Sequence, residues 1–178
     1  MGRVIDFTNS LPRLVSLIFD RFIILEGSLM SKHCRRRARV PYRPICALTV
    51  KNSNATAIGY LLHHLAPRKL TLDTCKLTTS SILRLPPSID ALSLSRIQGE
   101  DVELSVLPML SSFVGTHLIV RDCAFITHHF LHLVLGRARL NLRSIAFPTL
   151  HYIQIKDCSG VAATREFHWM TGLHNATM

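Results

Sequence analysis

One short phrase recurs along the chain and restricts its fold more than any other feature. Two apolar residues flank a single position, two residues follow, and then often a cysteine. The clearest copies are Leu70-Thr71-Leu72-Asp73-Thr74-Cys75, Leu118-Ile119-Val120-Arg121-Asp122-Cys123 and Ile153-Gln154-Ile155-Lys156-Asp157-Cys158. Further copies start at Leu17, Leu48 and Leu92, with Phe22, Ser53 and Ile97 in the cysteine slot. The six starts are separated by 31, 22, 22, 26 and 35 residues. Recurrence at such a step marks a stacked repeat, in which each unit covers its neighbour.

The wider template has apolar residues at slots 1, 4, 6, 9 and 11 of each copy. In the first copy these are Leu14, Leu17, Phe19, Phe22 and Ile24. Of thirty such slots 25 are apolar, where the chain's 48% apolar content would fill about 14. Alternate residues of a strand point to opposite faces, so slots 4 and 6 predict a strand with one apolar side. Cysteine at slot 9 suits the turn off that strand, because it is small and its S–H donates weakly to a carbonyl. The stretches between copies predict helices. One is capped by Thr56, carries Ile58, Leu61, Leu62 and Leu65 on one face and ends at Pro67. A shorter one covers Thr79 to Leu85. Another starts at Glu100, Asp101 and Glu103, and another opens at Thr127 and stops near Gly136.

With its lead-ins Leu11-Pro12-Arg13-Leu14, Leu107-Pro108-Met109-Leu110 and Phe147-Pro148-Thr149-Leu150, the pattern resembles the leucine-rich repeat family in its cysteine-bearing variety. The phrase from Phe147 to Cys158 is similar to repeats that follow F-boxes in large fungal families. The resemblance covers residues 11–160 and implies an α/β solenoid of about six irregular strand-turn-helix repeats. Residues 1–160 are then the array, with a basic inserted loop at about 31–43, and residues 161–178 a C-terminal cap or tail. Leu11 to Phe19 resembles the opening of an F-box helix, but the same residues fill repeat slots, and a basic, Pro-containing stretch follows. The repeat reading is preferred, without an F-box. The function the resemblance implies is protein–protein interaction, as substrate recognition for a cullin-type ubiquitin ligase. A partial or degenerate member of such a family is a further reading.

Charge and cysteine content bound the partners and the compartment. The chain has 178 residues, 21 Lys and Arg against 11 Asp and Glu. Lys32, Arg35, Arg36, Arg37, Arg39 and Arg43 supply six of the basic residues within one short segment. That cluster is read first as a solvated loop, then as a localisation signal, then as a nucleic-acid contact. Only Tyr42 lies near it, so stacking platforms for single strands are lacking. Five cysteines without a Cys-x-x-Cys pair, and no signal-like apolar start, predict reduced thiols in cytosol or nucleus. The richest apolar run, Leu11 to Leu25, is broken by Pro12, Arg13, Asp20 and Arg21 and does not span a bilayer of about 30 Å. No membrane association is expected.

Motifs for chemistry are sparse. No Gly-x-Ser-x-Gly and no Gly-rich phosphate loop occurs, and no carboxylate pair is visible. His128 and His132 share a helix face beside His129, but the His-Glu-x-x-His pattern and a third ligand are missing. No catalytic residue, metal or cofactor is assigned. By strand alternation the concave face of the array displays Thr49, Lys51, Thr71, Asp73, Ser93, Ser95, Ile119, Arg121, Gln154 and Lys156. These form the candidate binding surface. It is polar, mildly basic and poor in aromatic anchors, which favours a modest affinity or an acidic ligand.

Overall fold

The computed structural model describes residues 14–25, 43–79, 83–126, 152–156, 158 and 165–168. In chain order these form β1 (Ser16–Asp20), β2 (Arg43–Lys51), α1 (Ala55–His64), β3 (Leu65–Asp73), β4 (Ala91–Ser95), α2 (Val102–Ser111), β5 (His117–Arg121), β6 (Tyr152–Lys156) and β7 (Arg165–His168). The chain is α/β. Among the described residues seven strands make one sheet in strict sequence order, with β1 to β6 parallel and β7 antiparallel to β6.

The register follows the repeated phrase. Leu17 pairs with Leu48, Leu48 with Leu70, Leu70 with Leu92, Leu92 with Leu118 and Leu118 with Ile153. Two residues on, Phe19, Val50, Leu72, Leu94, Val120 and Ile155 form a second row. From β2 to β5 both rows are buried and join one apolar cluster with Ile58, Leu61 and Leu62 of α1 and Val106, Met109 and Leu110 of α2. A one-residue slip of any strand would turn both rows out to solvent, which is why the register is specific. β2 and β3 extend four residues further back than the other strands, and Pro67 lies in that extension, ahead of the Lys69–Ala91 pair where β4 joins. A missing N–H is tolerated where a strand has a free edge.

Each of the first five strands ends in the same turn. The next residue is left-handed: Arg21, Asn52, Thr74, Arg96 and Asp122 have φ of 55°, 49°, 54°, 50° and 48°. The N–H of this residue donates to the carbonyl that closes the following strand, at 3.0 Å from Arg21 to Lys51, 3.0 Å from Asn52 to Asp73, 2.9 Å from Thr74 to Ser95 and 3.1 Å from Arg96 to Arg121. The left-handed residue reverses the alternation, so slot 9 turns inward. Ser53, Cys75, Ile97 and Cys123 are buried there and Phe22 partly so; Cys158, in the same slot after β6, is buried too.

Slot 9 also has a shared hydrogen bond. The Cys75 thiol donates to the carbonyls of Val50 (3.3 Å) and Asp73 (3.5 Å), and the Cys123 thiol to that of Arg121 (3.2 Å). Ser53 Oγ donates to the Lys51 carbonyl at 2.7 Å, so serine replaces cysteine with the same bond two residues back. Burial pushes the Cys75 thiol above its ordinary value and the Cys123 thiol up to about 11.

The helices depart from the sequence reading in three places. The cap of α1 is Asn54, whose Oδ1 accepts from the Ala57 N–H at 3.1 Å, so Thr56 lies inside the helix. α1 stops at His64, and Leu65 and Pro67 already belong to β3. Among the described residues of the Thr79–Leu85 segment there is no helix; Leu83 and Leu85 are buried from irregular backbone, with the Leu85 N–H donating to Ser112 Oγ at 2.9 Å. Two helices, not one per strand, are present among the described residues. α2 starts where the acidic cluster predicts, although Asp101, at φ 49°, makes no side-chain cap. The helix expected from Thr127 lies outside the described residues. Of the proposed C-terminal cap, Phe167 lies in β7 and pairs with Ile153, while Trp169, Met170 and Leu173 lie outside.

Candidate interaction surface

The residues assigned to the concave face fall into two straight columns on one side of the sheet. Thr49, Thr71, Ser93, Ile119 and Gln154 are successive register partners, continued at the edge by Ile18. Lys51, Asp73, Ser95, Arg121 and Lys156 form the next column, continued by Asp20. Strand alternation alone places them there, opposite the buried leucine rows. Thr49, Thr71, Ser93, Ser95 and Lys51 are partly exposed, Arg121 is exposed and Gln154 is buried, with Arg121 Nη2 donating to Gln154 Oε1 at 3.5 Å.

A third column escaped the sequence reading. Ser16, Ala47, Lys69, Ala91, His117 and Tyr152 pair across the same six strands. Extending the alternation one step before each phrase would have found Lys69 and His117, both exposed.

The rim beside the Lys51–Arg121 column has its own order. A side chain at the left-handed turn reaches back to the last residue of the preceding strand. Asn52 Nδ2 donates to Asp20 Oδ1 at 2.7 Å. Arg96 donates from Nη2 to both Asp73 oxygens, at 2.7 and 2.8 Å, and from Nε at 3.0 Å. Thr74 Oγ1 donates to Asp73 Oδ1 at 3.1 Å. The Asp73 carboxylate is 17% exposed and the Arg96 side chain 55%, so the pair covers its anion and displays its cation. Hydrogen bonding to Asp73, then the charges of Asp73 and Asp122, raise the Arg96 guanidinium above its ordinary value.

Other candidates do not assemble into a chemical site. His63 and His64 close α1, where His64 stacks edge-on against Tyr60 at 4.8 Å. Burial, then the neighbouring His63, lowers the His64 pKa below its ordinary value. An open cleft of about 520 Å³ beside the start of α2 is lined by Ile97, Asp101, Val102, Glu103, Leu104 and Phe125 among others, and its lining has two carboxylates with no histidine, thiol, hydroxyl or cationic side chain beside them. No group of three or more His, Cys, Asp or Glu side chains able to hold a metal is found among the described residues. No helix among them is long and apolar enough to cross a membrane. Cys46, Cys75, Cys123 and Cys158 are free thiols. Arg43 of the basic cluster is the first residue of β2; Lys32, Arg35, Arg36, Arg37, Arg39, His128, His129 and His132 lie outside the described residues.

Compared with protein-family models, curated proteins and solved structures, the chain matches none at a significant level.

Proposed function

We propose that this chain is a non-enzymatic interaction module of leucine-rich-repeat type, in which the polar sheet face binds a protein partner. The observation that supports this reading most is the register. Six copies of one phrase pair residue for residue over five positions, so slots 4 and 6 and the residues beside them become columns that repeat at one strand spacing. Such a surface suits an elongated partner, because each rung offers the same positions with different side chains. In the repeat reading this is the concave face of a solenoid of about six units. By resemblance to F-box-associated repeats, the role is substrate recognition for a ubiquitin ligase in cytosol or nucleus. Buried free thiols at Cys75, Cys123 and Cys158 are consistent with a reducing compartment.

The test compares the full chain with a variant whose face is obstructed by Thr71→Tyr and Ser93→Tyr. Proteins captured by each from a native extract are identified, and the interaction is rebuilt from purified components. The expected result is a defined partner bound by the native face and lost from the obstructed one. Ligase adaptor subunits among the captured proteins would support the ligase role. Equal capture by both forms would overturn the assignment of this face.

A second reading is favoured by the density of cations at 32–43: a nucleic-acid contact made by Lys32, Arg35, Arg36, Arg37, Arg39 and Arg43. Binding through about six phosphates would weaken steeply between low and moderate salt. A flat salt response, or no loss when the arginines are neutralised, removes it.

A further inference from the structure

We infer that the segment recognised by the polar face is an acidic peptide lying across the rungs of β2 to β5. The inference rests on the interaction-module reading and gives that partner a chemistry.

The hydroxyls of Thr49, Thr71 and Ser93 are direct register neighbours in the central column. Among the described residues these three side chains make no hydrogen bond, and neither do Ser95, Lys51 or Lys69. Lys51 flanks the hydroxyl column on one side and Lys69 on the other, with Arg121 further along. The anions of the same region are engaged: Asp20 accepts from Asn52, and Asp73 lies beneath Arg96 and accepts from Thr74. Asp90, just ahead of β4, accepts from Thr116, and the exposed Asp122 lies beside Arg96. The face thus offers uncommitted hydroxyl and ammonium donors at Thr49, Thr71, Ser93, Lys51 and Lys69, while the Asp20 and Asp73 carboxylates are already hydrogen-bonded.

Carboxylates accept from both hydroxyl and ammonium groups and donate nothing, so they complement such a floor. β2 and β5 are three strand spacings apart, about 14 Å, a distance that about four extended residues cover. A short run of alternating acids therefore reaches from Lys51 to Arg121 while its backbone passes over the hydroxyls. Among the described residues whose side chains line this face, His117 alone offers an aromatic ring from β2 to β5, which disfavours stacked bases.

The test uses the full chain and a fluorescein-labelled peptide of about eight residues alternating glutamate and serine, read by anisotropy at low and at moderate salt. A glutamine-for-glutamate peptide and oligothymidylate serve as comparisons. The acidic peptide is expected to bind, and the glutamine peptide not. Lys51→Glu, Lys69→Glu and Arg121→Glu are each expected to weaken binding about tenfold, and Lys51→Gln and Arg121→Gln about threefold. Arg84→Glu, at an exposed residue outside the strands, is expected to leave it unchanged. Unaltered circular dichroism verifies that each variant folds. Absence of binding, or binding indifferent to all three reversals, overturns the acidic-peptide inference. Tighter binding of oligothymidylate, lost in the same variants, also overturns it and assigns the face to nucleic acid. If the peptide fails while a captured protein is still lost from the Thr71→Tyr, Ser93→Tyr form, only the partner chemistry is wrong. If no protein depends on the face either, the module reading fails as well.

Discussion

The side chain of Asn54 holds both polar groups of the Ile24 peptide backbone, donating from Nδ2 to the Ile24 carbonyl at 2.7 Å and accepting at Oδ1 from the Ile24 N–H at 3.3 Å. The same Oδ1 caps α1 through Ala57. One amide thus ties the segment after β1 to the start of the next helix, across thirty residues of sequence. Asn54→Ala loses the cap and both backbone bonds, and is expected to destabilise the fold by about 2 kcal/mol. Asn54→Asp keeps the acceptor and loses the donor, so it falls between. Urea unfolding gives the magnitudes. Hydrogen exchange at Ile24 should quicken most in the alanine variant.

Hydrogen bonding and burial separate the slot 9 thiols from that of Cys46. Cys46 is exposed, whereas Cys75 and Cys123 are buried and donate to carbonyls. A thiol reagent mapped by mass spectrometry is expected to label Cys46 in the folded chain, and Cys75 and Cys123 only on unfolding. Cys75→Ser should cost under about 1 kcal/mol, because Ser53 already makes the equivalent bond at the equivalent site. Cys75→Ala leaves the Val50 and Asp73 carbonyls without that donor and should cost more.

Burial of Cys123 also sets a pH dependence. Its thiol titrates near 11 in the folded chain against an ordinary 9.0, so between these values the unfolded chain loses a proton that the folded chain keeps. Stability is therefore unaffected by this group below its unfolded pKa. It falls as pH rises above that value, by about 1.4 kcal/mol per unit until the folded pKa is reached. Chemical unfolding across this range should show the decline, and Cys123→Ser should flatten it.

Thr74 is a β-branched residue in the left-handed region, at φ 54°. Neighbouring turns place Asn52 and Asp122 in the same conformation, which asparagine and aspartate adopt most readily after glycine. Thr74→Asn is expected to raise stability by about 0.5–1 kcal/mol by relieving this strain. A lower melting temperature would show that the Thr74 bond to Asp73 outweighs the strain.

Gly99 has φ 144°, and a Cβ there would run into the Leu77 carbonyl. That carbonyl belongs to backbone held by the Leu77 N–H bond to Gln98 at 2.8 Å, so it has little room to move. Gly99→Ala is expected to cost about 2–4 kcal/mol, read as a fall in the urea midpoint.

The strands were legible because two signals coincided. Leu48, Leu70, Leu92, Leu118 and Ile153 each begin an apolar-x-apolar pair, and each is followed by a small or apolar slot 9 at the same offset. Period-2 alternation sets the face, and the shared offset sets the register. The residues of the opposite face, Thr49, Thr71, Ser93, Lys51 and Asp73, then followed without further information. Lys69 and His117 were missed because the phrase was started one step too late. The turns were illegible: Arg21, Thr74 and Arg96 carry no local preference for the left-handed conformation. They adopt it because their N–H groups close the neighbouring strand. The α1 cap was misplaced by two residues, since Asn54 and Thr56 are both good cap formers and the choice between them depends on Ile24.

Hydrophobic alternation is a local property, written residue by residue, and it was enough to define six strands, their apolar sides and the order of their polar columns. Which backbone groups are satisfied is not local. The left-handed turns, the Asn54 clamp and the covering of Asp73 by Arg96 each join residues about twenty or thirty positions apart. Those contacts exist only once neighbouring rungs lie side by side, because buried N–H and C=O groups must then find partners across the stack.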